Sequence, residues 1–179
     1  MSSPVDAERQ TAPADPNHHP SAWNTMQRIV VATDGSPASR EAVKMAADLA
    51  AEHASELTVV HVVPAFDVVA PALYKGIAVP HPPTAFDHEL LSEAAATAAE
   101  RGVVAETALL AGSPAETIVA YGESRAADLV VVGSRGHGAA ASTLLGSVSL
   151  GVLRASKRPV LIVRGAYAHE NAASPSAPT

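Results

Sequence analysis

Apolar, β-branched runs alternate along the chain with alanine-rich segments of helical periodicity. The runs predict five strands, at Arg28–Thr33, Glu56–Val63, Val103–Leu110, Asp128–Gly133 and Pro159–Val163. Continuous apolar strands that alternate with helices are typical of a parallel sheet covered on both faces. The pattern therefore predicts an α/β fold of three layers, a Rossmann-like open parallel sheet of five strands with four helices.

The helices are predicted from small apolar residues at i, i+3, i+4 and i+7 and from their capping residues. We expect Ser36 to cap the first helix, Gly102 to end the second in a left-handed conformation, and Ser113 with Glu116 to form a capping box on the third. The four predicted helices span about Pro37–His53, Ala85–Arg101, Pro114–Arg125 and Ser147–Ser156.

Proline and small polar residues predict where the chain is not part of this fold. We expect residues 1–25 to be a disordered N-terminal tail and residues 165–179 a flexible C-terminal tail, because neither can bury enough apolar area to offset the entropy of ordering. The folded domain is predicted at 27–164. Within it, Pro64 is expected to close the second strand, and the proline-rich segment Pro64–Pro83 is expected to wander over the surface.

Composition excludes several classes of function. Aromatic residues make up only 3% of the chain and the net charge is −6, which disfavours binding to nucleic acid. The chain contains no cysteine, so disulfides, thiolate metal sites and cysteine nucleophiles are excluded. No apolar run is long enough to cross a bilayer, and the N-terminus lacks the basic start of a signal peptide. These features predict a cytoplasmic protein without membrane contact.

Candidate chemistry lies where the strands end, because open α/β sheets bind ligands beyond the carboxyl ends of their strands. Asp34 follows the first strand, and a glycine-rich loop with Gly133, Arg135 and Gly136 follows the fourth. Glycines allow close backbone approach, and the N-terminus of a following helix binds phosphate. Turns need glycine as well, so both interpretations stay open on this basis. Neither the dinucleotide fingerprint nor the GxxxxGK(S/T) phosphate loop matches.

Three segments together resemble the universal stress protein family: VVATDGS, the HVV that ends the second strand, and GSRGHGAAASTLLGSVSLGVLRASKRPVLIV. The family motif G-x2-G-x9-G-(S/T) is met by Gly133, Gly136, Gly146 and Ser147. The resemblance covers about residues 27–164. It implies an adenine nucleotide alpha hydrolase-like fold and, since the motif marks the ATP-binding branch, ATP with Mg²⁺ as cofactors.

The resemblance also implies roles for particular residues. Asp34 would lie beside the ribose or a phosphate-bound cation, and the Val62 main chain would meet the adenine edge. The remaining residues implied to wrap the nucleotide are Ala32, Gly133, Arg135, Gly136, Gly146, Ser147 and Val148. Two alternatives stay open, because Asp34 also suits a turn or a helix cap and Ser147 suits an ordinary helix cap.

Histidines supply no convincing catalytic group. His61 lies inside the second strand, where a buried, hydrogen-bonded ring is the usual case, and His137 in the glycine loop either touches phosphate or is solvated. The adjacent His18 and His19 have no companion ligands for a metal. No catalytic motif pairs a nucleophile with a base. We therefore expect no catalytic residues, and the metal ligands stay unknown.

The sequence favours a nucleotide-binding regulatory module of the stress response over an enzyme, with a slow ATPase as the alternative. Phosphoryl transfer needs a positioned water and charge stabilisation, and only Arg135 is a candidate for the second. An adenylating enzyme would need an SGGxDS-like loop where this chain has TDGSPASR. The strand at 159–163 is short, apolar and at a sheet edge, which predicts a homodimer, in part by the resemblance.

Overall fold

The computed structural model describes residues 26–67, 78–80, 82–136 and 145–165. The strands are β1 (Arg28–Ala32), β2 (Glu56–Asp67), β3 (Ala78–Pro80), β4 (Ala105–Gly112), β5 (Leu129–Gly133) and β6 (Val160–Val163). The helices are α1 (Pro37–His53), α2 (Ala85–Ala99), α3 (Pro114–Ser124) and α4 (Ser147–Ala155). The predicted tails lie outside the described residues, apart from Gly165.

Five parallel strands form the sheet in the order β4-β2-β1-β5-β6, with four helices around them. The register pairs Val30 with Thr58 of β2 on one side and with Val130 of β5 on the other. This confirms the predicted α/β fold. In the described part of the chain, no helix is long and apolar enough to span a membrane.

The core consists of two apolar layers, one on each face of the sheet. Ile29 and Val31 of β1 pack toward α1 and α2, while Val30 packs toward α3 and α4. Alternate residues of one strand point to opposite faces, so a continuous apolar run supplies both layers. The face of α1 in this core contains Val43, Ala46, Ala47 and Ala50, which follow the spacing i, i+3, i+4 and i+7.

The segment after Pro64 differs from the prediction. The second strand does not close at Pro64, because β2 continues to Asp67. Residues 65–67 pair with β3 in antiparallel register, with Ala65 opposite Pro80. Proline has no N–H to donate to a sheet, which suggested the end of the strand. The residues after Pro64 stay extended because they pair with β3, a strand that is distant in sequence. Part of the predicted surface segment is therefore a hairpin arm, while residues 68–77 and 81 lie outside the described residues.

Helix boundaries follow their capping residues, with one correction. Ser36 caps α1 as predicted, and its Oγ accepts a hydrogen bond from the Ser39 amide at 3.3 Å. Gly102 has the predicted left-handed φ of 76°. The capping box predicted at Ser113 is not formed, since Ser113 makes no side-chain cap bond. A box forms instead at the start of α2, where Asp87 accepts from the Thr84 amide at 2.8 Å.

Candidate functional site

The candidate site lies where the strand order reverses, at the carboxyl ends of β1 and β5. From β1 the chain builds β2 and β4 on one side of the sheet, and then crosses over to form β5 and β6 on the other. The loops that leave β1 and β5 diverge at this point, which leaves a crevice between them. Asp34 and the glycine-rich loop, which the sequence placed at strand ends, are therefore brought to the same edge of the sheet.

The loop between β1 and α1 is held by its own polar groups. Gly35 has a φ of 77°, which favours glycine, and its amide donates to Thr33 Oγ1 at 3.2 Å. Asp34 Oδ1 accepts from the Ser36 amide at 3.0 Å. The turn role that the sequence left open for Asp34 is therefore formed in the structure.

The loop between β5 and α4 is closed at its base. The Ser134 carbonyl accepts from the Gly146 amide at 2.8 Å and from Ser149 Oγ at 2.9 Å. The Arg135 carbonyl accepts from Ser36 Oγ at 3.1 Å, which joins this loop to the loop after β1. Both ends of the glycine-rich loop are thus fixed beside Asp34. Residues 137–144, including His137, lie outside the described residues.

The three motif glycines differ in what a side chain would meet. A Cβ on Gly133 would lie 2.7 Å from the Ser39 amide nitrogen and 2.8 Å from the Ala38 carbonyl carbon. Gly133 therefore lets the start of α1 pack against the end of β5. A Cβ on Gly136 would overlap Asp34 Oδ2. A Cβ on Gly146 would meet nothing closer than 3.5 Å, so packing does not explain that glycine.

Helix α4 begins at the site without a side-chain cap. Gly146 is the N-cap, and Ser147 is the first helical residue, so Ser147 is not the cap that the sequence left open as its structural role. Ser147 and Val148 are exposed. Gly146 has no side chain that could cap the helix, and the amides of the first turn present the positive end of the helix dipole. Arg135 lies next to Gly136, beside Asp34.

Backbone groups of β2 face the same crevice. The Val60 carbonyl accepts from the Thr33 amide at 2.9 Å, and Ala32, the last residue of β1, is in register with Val60. Backbone groups two residues apart in a strand point to the same side. The N–H and C=O of Val62 therefore point toward β1 at a level beyond its last residue, while the Val62 side chain is buried in the core.

Several buried polar residues that hold the site were not identified from the sequence. Each is at most 6% exposed: Thr33, Ser36, Ser39, Ser134 and Ser149. Ser36 was recognised only as a cap. The available signal was their position next to the strand ends, but a serine or threonine there is indistinguishable from an ordinary loop residue until its partner is known.

His61 confirms the structural role predicted for it. The ring is buried in β2, and its two nitrogens lie 2.8 Å from the Thr33 carbonyl and 2.8 Å from Asp87 Oδ1. Hydrogen bonds from Thr84 lower the pKa of Asp87 to about 2. Within the described ranges, no three histidine, aspartate or glutamate side chains form a cluster able to hold a metal.

A second concave feature lies at the opposite edge of the sheet. It has a volume of about 280 Å³ and is lined by Arg28, Ile29, Val30, Glu56, Thr58, Ser124 and Arg125. Its arginines already have partners, since Arg28 contacts Glu56 and Arg125 pairs with Glu106. It lies at the amino ends of β1 and β2, away from the strand reversal crevice.

Comparisons of the sequence and of the structure with known proteins both find universal stress proteins. The chain is 38% identical over 145 residues to universal stress protein YxiE of Bacillus subtilis, covering 76% of this chain and 98% of that protein. It is 35% identical over 142 residues to universal stress protein MJ0531 of Methanocaldococcus jannaschii, covering 79% and 84%.

Two solved structures carry both sequence and fold similarity. A universal stress protein in complex with cAMP has a TM-score of 0.58 and 33% identity, covering 76% of this chain and 95% of that one. The Archaeoglobus fulgidus universal stress protein in complex with dAMP has a TM-score of 0.59 and 25% identity, covering 78% and 98%. The model of the universal stress protein family matches residues 25–164. The chain therefore belongs to the universal stress protein family.

Proposed function

We propose that this protein is a regulatory module that binds ATP with Mg²⁺ in the crevice between β1 and β5. The observation that carries the proposal is the convergence of Asp34, Gly136 and the uncapped start of α4 at the strand reversal. The cAMP and dAMP complexes of the two similar structures support an adenine nucleotide as the ligand class.

The start of α4 suits the phosphates. First-turn amides and the helix dipole bind anions, and the absence of a side chain at Gly146 lets a phosphate oxygen reach them. Arg135 adds a positive charge on the same loop. We assign Ser147 and Val148 to phosphate binding through their main-chain amides, since both are exposed there. Gly133 contributes indirectly, by allowing α1 to pack.

Within the nucleotide, we assign Asp34 to a group other than a bare phosphate, because two anions in contact repel each other. Its carboxylate suits either the ribose hydroxyls or a Mg²⁺ ion bound by the phosphates, since Mg²⁺ takes oxygen ligands and is commonly held by one carboxylate together with the phosphates. Adenine would lie against the end of β2, where the Val62 N–H and C=O offer a donor and an acceptor for its edge. Ala32, the last residue of β1, would form the floor of the crevice between Asp34 and Val62.

A slow ATPase is the alternative within the same pocket. Arg135 supplies charge stabilisation for phosphoryl transfer, but the reaction also needs a group that orients the attacking water. Groups that bind substrate and transition state equally do not raise the rate. We therefore favour occupancy by ATP as the signal, with hydrolysis slow. The cytoplasmic location stays a prediction from the sequence.

We also propose a homodimer through β6 and the adjacent residue 159. Among the described strands, β6 pairs with β5 alone. The Pro159 carbonyl accepts from Val130 at 3.0 Å and the Val163 carbonyl accepts from Ser134 at 2.7 Å, so these residues face β5. By alternation, the N–H and C=O of Ile162 face outward, where a second copy can pair with them.

The nucleotide proposal is tested by isothermal titration of the full chain with Mg·ATP, AMP, cAMP and GTP. We expect binding of about one Mg·ATP per chain and weaker or absent binding of GTP. Absence of heat and of competition at millimolar adenine nucleotide would overturn the proposal. Two variants separate the roles of the Asp34 carboxylate. A ribose role predicts that 2′-deoxy-ATP binds the wild type roughly tenfold more weakly than ATP, whereas Asp34→Ala, which has no acceptor for the 2′-hydroxyl, binds both nucleotides equally. A cation role predicts that Asp34→Asn, which keeps the acceptor but not the charge, loses the affinity gained from Mg²⁺.

A further inference from the structure

A buried histidine lies between two oxygens that connect the candidate site to α2. His61 is 8% exposed, and the partner residues Thr33 and Asp87 are 6% and 9% exposed. His61 Nδ1 lies 2.8 Å from the Thr33 carbonyl oxygen, and Nε2 lies 2.8 Å from Asp87 Oδ1. Thr33 immediately precedes Asp34, so the histidine reaches from the start of α2 to the residue before the site carboxylate.

Both partners of the ring are hydrogen-bond acceptors. A backbone carbonyl can only accept, so Nδ1 must carry hydrogen. Asp87 Oδ2 already accepts from the Thr84 amide at 2.8 Å and from Thr84 Oγ1 at 2.7 Å, as an ionised carboxylate does. If Asp87 is ionised, Nε2 must carry hydrogen as well. A neutral imidazole has only one N–H, so this arrangement requires the imidazolium form.

The surroundings of Asp87 favour its ionised form. The two bonds from Thr84, followed by the contact with His61, hold the pKa of Asp87 down at about 2. In the described part of the chain, Asp87 is the charged side chain in contact with His61. On β4 the register partner of His61 is Leu109, and the nearby charges of α1 and α2, Arg40 and Glu93, pair with each other at the surface.

The ring therefore fixes the end of β1. The Thr33 carbonyl accepts from His61, Thr33 Oγ1 accepts from the Gly35 amide, and the same Oγ1 contacts Ser39 Oγ at 3.3 Å. Bonds to a charged donor are roughly twice as strong as neutral ones. The loop that presents Asp34 is thus tied to the first turn of α2 and, through β2, to the arm that pairs with β3.

We propose that His61 is a positioning residue for nucleotide binding, a buried imidazolium held by Asp87 that orders the β1–α1 loop and couples it to the start of α2. The link to nucleotide affinity rests on the proposed function, whereas the charge of the ring and the order of the loop do not. This is a conformational coupling device, because any change that separates Asp87 from His61 loosens the Asp34 loop.

The decisive variant is Asp87→Asn. Asparagine has the shape of aspartate and can still accept from Thr84, while its amide can donate to Nε2. A neutral ring with hydrogen on Nδ1 then satisfies every bond, so the substitution removes the charge and keeps the hydrogen bonds. Glu93→Gln is the matched control, since it removes a carboxylate from the same helix and disrupts only the exposed pair with Arg40.

The measurement is ¹⁵N NMR of the imidazole at neutral pH, with amide hydrogen exchange of Gly35 and Ser36, on protein without nucleotide. We expect two protonated ring nitrogens in the wild type and in Glu93→Gln, and a neutral ring in Asp87→Asn with exchange about fivefold faster at both amides. A neutral ring in the wild type, which needs no variant to detect, would overturn the charge assignment. Unchanged exchange in Asp87→Asn would overturn the positioning role.

Nucleotide affinity is the third readout. We expect Asp87→Asn to bind Mg·ATP about fivefold more weakly and Glu93→Gln to bind it normally. Equal affinity of Asp87→Asn and the wild type would contradict the coupling to the site. If the wild type binds no nucleotide, the proposed function is wrong. The role of His61 in ordering the β1–α1 loop is still tested, because the charge of the ring and the exchange of the Gly35 and Ser36 amides are measured without nucleotide.

Discussion

Alanine substitutions at Gly133 and Gly146 should separate packing from ligand binding within one motif. At Gly133 the added Cβ would lie 2.7 Å from the Ser39 nitrogen, 2.8 Å from the Ala38 carbonyl carbon and 3.0 Å from the Ala38 oxygen. All three are backbone atoms at the start of α1, so no side chain can rotate away. Overpacking of this kind costs about 1–3 kcal/mol of unfolding free energy.

At Gly146 the same substitution meets ordinary contact distances. The nearest atoms lie at 3.5 Å, and Gly146 has a φ of −76°, which alanine adopts without strain. We expect the stability of Gly146→Ala to lie close to that of the wild type, because the lower entropy of the unfolded chain offsets the poorer capping by alanine at this N-cap. The new methyl group would stand at the N-cap of α4, where we propose that phosphate approaches the backbone.

The assay combines thermal unfolding with calorimetric titration of Mg·ATP. For Gly133→Ala we expect the melting temperature to fall by roughly 2–12 °C, using about 2–4 °C per kcal/mol for a domain of this size. For Gly146→Ala we expect an unchanged melting temperature and at least about tenfold weaker binding, equivalent to about 1.4 kcal/mol. Wild-type stability of Gly133→Ala would refute the packing argument, and wild-type affinity of Gly146→Ala would refute the role of α4.

Three further predictions concern acid stability, assembly and turnover. The pKa of Asp87 in the folded protein is about 2, below the usual 3.8. Ionised Asp87 therefore contributes fully to the free energy of unfolding above pH 4–5, and this contribution is lost as the pH falls toward 2. Carboxyl ¹³C NMR titration of the wild type should place the midpoint of Asp87 near pH 2, and a midpoint near 3.8 would contradict this. Light scattering at tens of micromolar should give a dimer, and Ile162→Pro, which removes an outward N–H, should dissociate it more than Ile162→Ala. Phosphate release from ATP should stay below about one per second, and faster release that disappears in Gly146→Ala would indicate a missed catalytic group.

The parts of the fold that depend on local sequence were predictable. Helix α1 spans Pro37–His53 as predicted, because Ser36 and Pro37 define its start and alanines define its buried face. The five parallel strands follow from apolar runs. The β3 hairpin was not predictable, because its pairing with residues 65–67 is nonlocal and Pro64 suggests the end of a strand.

In the candidate site, too, the features set by local sequence were predictable and those set by packing were not. Strand ends and glycine spacing located Asp34 and Gly136 on opposing loops, and the structure brings the two residues into contact. The different roles of the glycines were not predictable, because the role of Gly133 depends on how closely α1 packs. The capping box predicted at Ser113 was also wrong, because a capping box requires a side-chain geometry that residue spacing alone does not determine.

Mapping amide chemical shifts during titration with Mg·ATP shows directly whether an adenine nucleotide binds at the strand reversal. We predict that the largest shifts fall on Gly35, Gly136, Ser147 and Val148, at a saturating ratio of about one nucleotide per chain. Shifts concentrated instead on the cavity lined by Arg28 and its neighbours at the opposite edge, or no saturable shifts at millimolar Mg·ATP, would contradict nucleotide binding at the strand reversal.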